Sequence, residues 1–167
     1  VAWPIRVFDA VALGRFPYGA TPWRMAPADR QAIDQAMLDC DLRALADRST
    51  ATLSGGELAR VHIARALASM APLLLADEPV ASLDPRHQLA VMQIFRRMAD
   101  RGGASLIVLH DIGLAARFAD RILGMKQGRI LVDCDPQSVV TPNWIKRLFD
   151  VDCSVRNDLG WPQPTFL

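Results

Sequence analysis

Two short runs hold the residues whose types and spacing can do chemistry: Leu53-Ser54-Gly55-Gly56-Glu57, and Asp77-Glu78-Pro79 closing the apolar run Leu73-Leu74-Leu75-Ala76. A serine hydroxyl and two glycine N–H groups at the start of a helix suit an anion, above all a phosphate. Paired carboxylates at the end of a buried strand suit a divalent cation and a water molecule. An imidazole, His110, follows a second apolar run and precedes Asp111. Donors for phosphate, an oxygen ligand for a cation and a base for water are the parts of nucleotide chemistry. A Gly-x-x-x-x-Gly-Lys-Ser/Thr phosphate loop does not occur in the 167 residues.

The elements that must position these groups follow from local pattern. Ser54 is an N-cap, and Leu58, Val61, Ala64, Leu67 and Ala68 behind it keep helical spacing, so a long helix starts at the serine. Asp84-Pro85 supplies an N-cap and a first-turn proline for a helix reaching about Met98, stopped by Gly102-Gly103. Ser105–Leu109 is a second strand. Strand, helix and strand at this separation make a crossover unit with two parallel neighbouring strands. Asp77, Glu78 and His110 then fall at the carboxyl edge of a sheet, where open α/β sheets bind ligands.

Elsewhere, Ile5, Phe8, Val11 and Ala12 predict a short helix that Gly14 closes, and Phe16–Pro27 is a loop. A bent helical unit is expected over Ala28–Leu45, and a helix over Ile112–Ala119. A hairpin turning at Gln127-Gly128, a last helix over Pro142–Phe149 and an irregular end from Asp152 complete the chain. Half of the residues are hydrophobic (51%) and the formal charge is +1, enough for a sizeable core and without the basic excess that a polyanion would demand. The longest apolar stretch, Ala66–Ala76, is broken by Ser69 and Pro72 and falls short of the roughly 20 residues of a membrane span. Cys40, Cys134 and Cys153 match no metal or redox spacing, which fits a reducing compartment. The start at Val1 has no signal-peptide pattern and resembles the middle of something longer.

Taken in order, Leu53-Ser54-Gly55-Gly56-Glu57, Arg60-Val61, Ile63-Ala64-Arg65-Ala66-Leu67, Asp77-Glu78-Pro79, Ser82-Leu83-Asp84 and His110-Asp111 resemble the ATP-binding cassette (ABC) ATPases. Val11-Ala12-Leu13-Gly14-Arg15-Phe16-Pro17 resembles a Gly-Arg-x-Pro segment of the importer subunits for iron chelates, haem and cobalamin. The resemblance implies a partial P-loop NTPase-like α/β fold. Its parallel sheet core carries helices, a helical signature subdomain over about residues 1–70, and the C-terminal part of a RecA-like core with a β-hairpin over about 71–167. It also implies a cytoplasmic protein, peripheral on the inner face of the membrane, that hydrolyses ATP with Mg²⁺ in a head-to-tail dimer beneath permease subunits, with no nucleic-acid partner.

Carried onto this sequence, the resemblance gives Ser54, Gly55, Gly56 and Glu57 to the γ-phosphate of ATP bound on a partner subunit. It gives Asp77 to Mg²⁺, Glu78 to the general base, His110 to the γ-phosphate and attacking water, and Asp84 to a contact across the dimer. Each residue also has a plain structural reading: Ser54 and Asp84 as N-caps, the two acids as a loop start, His110 as a strand-end residue. His62, His87, Trp3, Trp23, Trp144 and Trp161 receive only the plain reading, as solvated or core-edge side chains. Leu58, Ala59, Ala76 and Val80 depart from the commonest family pattern without removing a charge or ligand.

Two other functions fit part of the pattern. A non-enzymatic remnant acting as an interaction module fits the missing phosphate loop, but not the retained Glu78 and His110. A DNA-maintenance ATPase of the same superfamily would need a coiled-coil insertion for which Gly56–Asp77 has no room. Without phosphate-loop amides and lysine, Glu78 has no positioned substrate. A polypeptide of these 167 residues is therefore expected to show no Mg²⁺-dependent ATP turnover above its Glu78→Gln variant in a phosphate-release assay; turnover that the substitution abolishes would contradict this.

Overall fold

The computed structural model describes residues 4–21 and 23–167, so Trp3 lies outside the described residues. The chain divides into two compact units, Val1–Val108 and Leu109–Leu167. In the first, α1 (Val7–Ala12), α2 (Pro27–Asp39) and α3 (Gly55–Ala68) pack on one another. Their shared core is Val7, Val11, Ile33, Met37, Val61 and Ala64, with Leu42 and Cys40 fully enclosed beside them.

Gly14 does not close α1. The chain continues from Ala12 into a 3₁₀ turn, Leu13–Tyr18, and the left-handed residue that ends it is Gly19 (φ 81°). Gly14 is needed for closeness instead: a Cβ there would sit 2.0 Å from the Arg65 carbonyl oxygen of α3. The part of the expected Phe16–Pro27 loop up to Tyr18 is thus helical.

The next residue, Arg15, turns inward and is 8% exposed. Its Nε donates to Asp29 Oδ1 at 2.9 Å and its Nη1 to the Ala68 carbonyl at 3.2 Å, while the Tyr18 hydroxyl donates to the Ser69 carbonyl at 2.8 Å. The same Asp29 accepts the Ala26 N–H at 3.1 Å, so one carboxylate caps α2 and holds the guanidinium that satisfies the end of α3.

The helical unit expected over Ala28–Leu45 is α2, which stops at Asp39. Asp41 takes φ 53°, Leu42 N–H bonds the Met37 carbonyl and Asp41 N–H bonds the Leu38 carbonyl, which is a Schellman stop with aspartate in the usual glycine position. A 3₁₀ turn, Arg43–Leu45, follows.

β1 (Leu73–Asp77) and β2 (Ala104–Val108) pair in parallel, with Leu73 opposite Ala104 and Asp77 opposite Val108. The crossover helix α4 (Pro85–Asp100) buries Val91, Met92, Ile94 and Phe95 and ends on Gly102 (φ 88°). The crossover is as the sequence predicts. Among the described residues no third strand joins this pair, and one of its faces is open: Leu73 is 52%, Leu75 73%, Leu106 52% and Val108 52% exposed.

The second unit holds α5 (Ile112–Phe118), a hairpin of β3 (Ile122–Lys126) and β4 (Arg129–Cys134), a short α6 (Pro136–Val139) and α7 (Pro142–Phe149). Ala116, Val140, Ile145 and Cys153 form its core, beside a second cluster of Val132, Val139 and Leu148. The expected irregular end is instead a second hairpin, β5 (Cys153–Asp158) and β6 (Trp161–Phe166). Its prolines, Pro162 and Pro164, are two residues apart, so both missing N–H groups fall on the same edge and the alternate positions carry the ladder. Leu159 (φ 50°) and Gly160 (φ 89°) make its two-residue turn.

The Arg15 hydrogen bond holds the Asp29 carboxyl below its ordinary value. A lowered carboxylate pKa contributes stability that is complete above about pH 4 and lost as the pH falls through the folded value. The gap in urea midpoint between the native chain and Arg15→Met is therefore expected to be widest above about pH 4 and to shrink toward pH 2; a pH-independent gap would contradict the ion pair.

Candidate functional site

In the first unit, α3 begins as the sequence predicts. Ser54 Oγ accepts the Glu57 N–H at 3.2 Å and Glu57 Oε2 accepts the Ser54 N–H at 2.8 Å, a reciprocal cap. The bond from the Ser54 backbone, more than Arg48 nearby, holds the Glu57 carboxyl below its ordinary value. Glu57 thus faces its own backbone, shaping the corner. The helix pattern leaves the Gly55 and Gly56 N–H groups without an acceptor inside the helix.

The two glycines differ. A Cβ on Gly56 would lie 2.3 Å from His87 Cδ2, whereas a Cβ on Gly55 would meet nothing within 4 Å. Of the ten glycines, Gly55 alone has neither a positive φ nor a neighbour that excludes a side chain. Nothing within the chain requires glycine there.

The acid pair sits at the end of β1. The ladder extends one bond past the strand, from Glu78 N–H to the Val108 carbonyl at 3.1 Å. Glu78 takes φ 46°, a left-handed conformation that costs a side-chain-bearing residue of order 1–2 kcal/mol. Beyond it the Ala81 N–H bonds the Glu78 carbonyl, Ser82 takes φ 63° and the Leu83 N–H bonds the Val80 carbonyl. Val80 is 5% exposed and anchors this double turn, which accounts for an apolar residue at that position. Asp77 and Glu78 are both exposed.

The turn delivers Asp84 to the start of α4. Asp84 Oδ1 accepts the His87 N–H at 3.0 Å, and Oδ2 takes His87 Nδ1 at 2.7 Å. These two bonds, the backbone one first, hold the Asp84 carboxyl below its ordinary value. His87, for which sequence reasoning found only a bland role, therefore touches both Gly56 and Asp84. The signal that could have found it is the Asp84-x-x-His87 spacing, which places an N-cap carboxylate and an imidazole on one turn.

His110 belongs to the second unit and follows the last residue of β2 by two positions. It is exposed, and Asp111 Oδ1 caps α5 by accepting the Leu114 N–H at 2.9 Å. His110, Asp111, Ile112 and Gly113 line a pocket of about 420 Å³ whose other wall is Gln163, Pro164 and Phe166 of the unforeseen hairpin. A Cβ on Gly113 would lie 2.5 Å from Gln163 Oε1.

Among the described residues no cluster of three His, Cys, Asp or Glu side chains gathers to hold a metal. A lone exposed carboxylate such as Asp77 fits a hard cation that takes most of its ligands from substrate phosphates and water, as Mg²⁺ does. No described helix is long and apolar enough to cross a membrane.

Comparison with known proteins agrees with the motif order. Residues 6–81 match the ABC transporter family. The hemin import ATP-binding protein of Pseudomonas entomophila (strain L48) is 43% identical over 155 residues, covering 90% of this chain and 59% of that protein. The one from Rhodopseudomonas palustris (strain BisB5) is 45% identical, covering 86% of this chain and 60% of its own length. The chain thus spans about 60% of these curated relatives. In fold it is similar to a metal-chelate type ABC transporter in an inward-facing conformation (TM-score 0.85, 24% identity, 100% of this chain and 67% of that one). It is also similar to a dimeric bacterial ABC transporter cassette (TM-score 0.65, 29% identity, 80% and 58%).

The left-handed backbone at Glu78 gives a direct check. Glycine is free of the Cβ penalty there, so Glu78→Gly is expected to be more stable than Glu78→Ala by about 1 kcal/mol in urea denaturation, the reverse of the usual order in regular structure. Equal stability, or a more stable alanine variant, would mean the turn is not held in that conformation.

Proposed function

Because this chain belongs to the ABC transporter ATPases, we propose that it is part of the ATP-binding and ATP-hydrolysing subunit of an importer for haem, an iron chelate or cobalamin. It would work at the cytoplasmic face of the membrane as a head-to-tail dimer beneath permease subunits. The two relatives are named for hemin import, which favours haem within that group. The chain divides in this reading into a signature subdomain over about residues 1–70 and part of the RecA-like core over about 71–167.

Ser54, Gly55 and Gly56 receive the γ-phosphate of ATP held on a partner subunit, using the Ser54 hydroxyl proton, the two glycine N–H groups and the positive end of α3. Glu57 keeps that corner in shape by occupying the Ser54 N–H. Asp77 is the protein ligand for Mg²⁺, which when bound neutralises phosphate charge. Glu78 accepts the proton of the attacking water, and its backbone conformation fixes its direction at the strand end. His110 donates a ring N–H toward the γ-phosphate oxygens, and Asp84 contacts the partner while capping α4. The phosphate loop that completes each site is not among these 167 residues, so the chain supplies the signature face and the hydrolytic acids.

The observation that carries this reading is Gly55, a glycine that no contact and no φ within the chain demands, at a helix start where a side chain on it would meet nothing within 4 Å. In the assembled ATPase, the methyl group of Gly55→Ala would hold the phosphate off the corner and is expected to lower ATP turnover about 100-fold, comparable to losing one well-placed oxyanion contact, with the melting temperature unchanged. Gly56→Ala should lose both turnover and stability, because His87 fills the space. Turnover within twofold of the unmodified enzyme in Gly55→Ala would remove the corner from the site.

A further inference from the structure

His87 stands where two loops of the proposed site meet inside one chain. Its ring lies over Gly56: a Cβ there would be 2.3 Å from Cδ2, 2.6 Å from Cγ and 2.8 Å from Nε2. On its other side the ring is tied to Asp84 Oδ2 at 2.7 Å, while its backbone N–H takes Asp84 Oδ1 at 3.0 Å. A carboxylate accepts only, so Nδ1 carries the proton of this bond.

A histidine that merely occupied the first turn of α4 would need the backbone bond and nothing more. Here the side chain is 31% exposed and Gly56, with no positive φ, is buried beneath it. The glycine is therefore there for the ring.

We propose that His87 is a positioning residue that couples the Ser54–Glu57 corner to the Asp84 turn, so that the two present themselves to a neighbouring subunit's nucleotide as one piece. The coupling is a property of this chain alone; its meaning for ATP rests on the function proposed above. The imidazole is a rigid ring with one fixed donor, so a displacement of Asp84 rotates it and the rotation is felt at Gly56. A side chain with no bond to Asp84 would fill the space and transmit nothing.

The test uses the isotope-labelled chain and the amide resonances of Gly55, Gly56 and Glu57. Asp84→Asn keeps an oxygen for the His87 N–H and so keeps the cap, but presents an amide donor to a ring nitrogen that was itself donating. Asp84→Asn should shift all three corner resonances in the native background and leave them unshifted in the His87→Ala background. His87→Phe, which still covers Gly56 but cannot bond Asp84, serves as a second background for the case in which the alanine variant does not fold. It should also block the propagation, and His87→Gln, which can donate to Asp84, should restore it.

Corner resonances that stay fixed when Asp84 is changed in the native chain, or that move equally when His87 is alanine or phenylalanine, would overturn the coupling. No nucleotide enters the measurement. A failure here is therefore distinct from a failure of the Gly55→Ala turnover assay, which addresses the ATP-binding role itself.

Discussion

The first unit depends on one helix being held at both ends. At its start, α3 closes on itself through Ser54 and Glu57 and is pressed by the His87 ring at Gly56. At its finish, the carbonyls of Ala68 and Ser69 take protons from Arg15 and Tyr18, and the missing side chain of Gly14 lets the preceding turn come against the Arg65 carbonyl. A helix terminus leaves backbone groups that must find partners. The C-terminal end of α3 finds them in distant side chains, Arg15 and Tyr18, and the N-terminal end in its own Ser54 cap, with the distant His87 ring packed on Gly56, so its axis and its rotation are fixed. Without those bonds the apolar packing of α1, α2 and α3 would still bury area, but would not specify where the Ser54 corner points.

The ladder between β1 and β2 provides the second fixed direction. Its register places Asp77 opposite Val108, and the extra bond to Glu78 carries the strand one residue further while the chain turns left-handed. Strained backbone at a carboxylate persists only where its surroundings over-determine it. Val80 buried in the following turn and the carbonyl of Val108 supply that determination.

Much of this was legible from residue order because the signals were local. Ser54 with Glu57 three residues on, Asp84 before Pro85, and an apolar run on each side of a helix-sized gap all name their structures without distant information. What was illegible depended on contacts across the fold. Gly14 resembles a helix stop until Arg65 is known to lie against it. Asp41 in a left-handed turn gives no sign of itself, since glycine is the residue expected there. Pro162 and Pro164 argue against a strand until their shared edge is known to be free of ladder bonds. His87 has an unremarkable place on a helix, and only the packing of α4 near the start of α3 gives it company.

The open face of the β1–β2 pair carries a physical consequence. Parallel strands are ordinarily sheathed in apolar material on both sides, yet Leu73, Leu75, Leu106 and Val108 stand half or more uncovered in a row. Water against such a surface is unfavourable by roughly 25 cal/mol for each Å². Two copies of the polypeptide brought together at high concentration lower their free energy by pressing these leucines against each other. A polypeptide of these 167 residues taken alone is accordingly expected to associate through this apolar flank, where its near-neutral formal charge of +1 gives little repulsion.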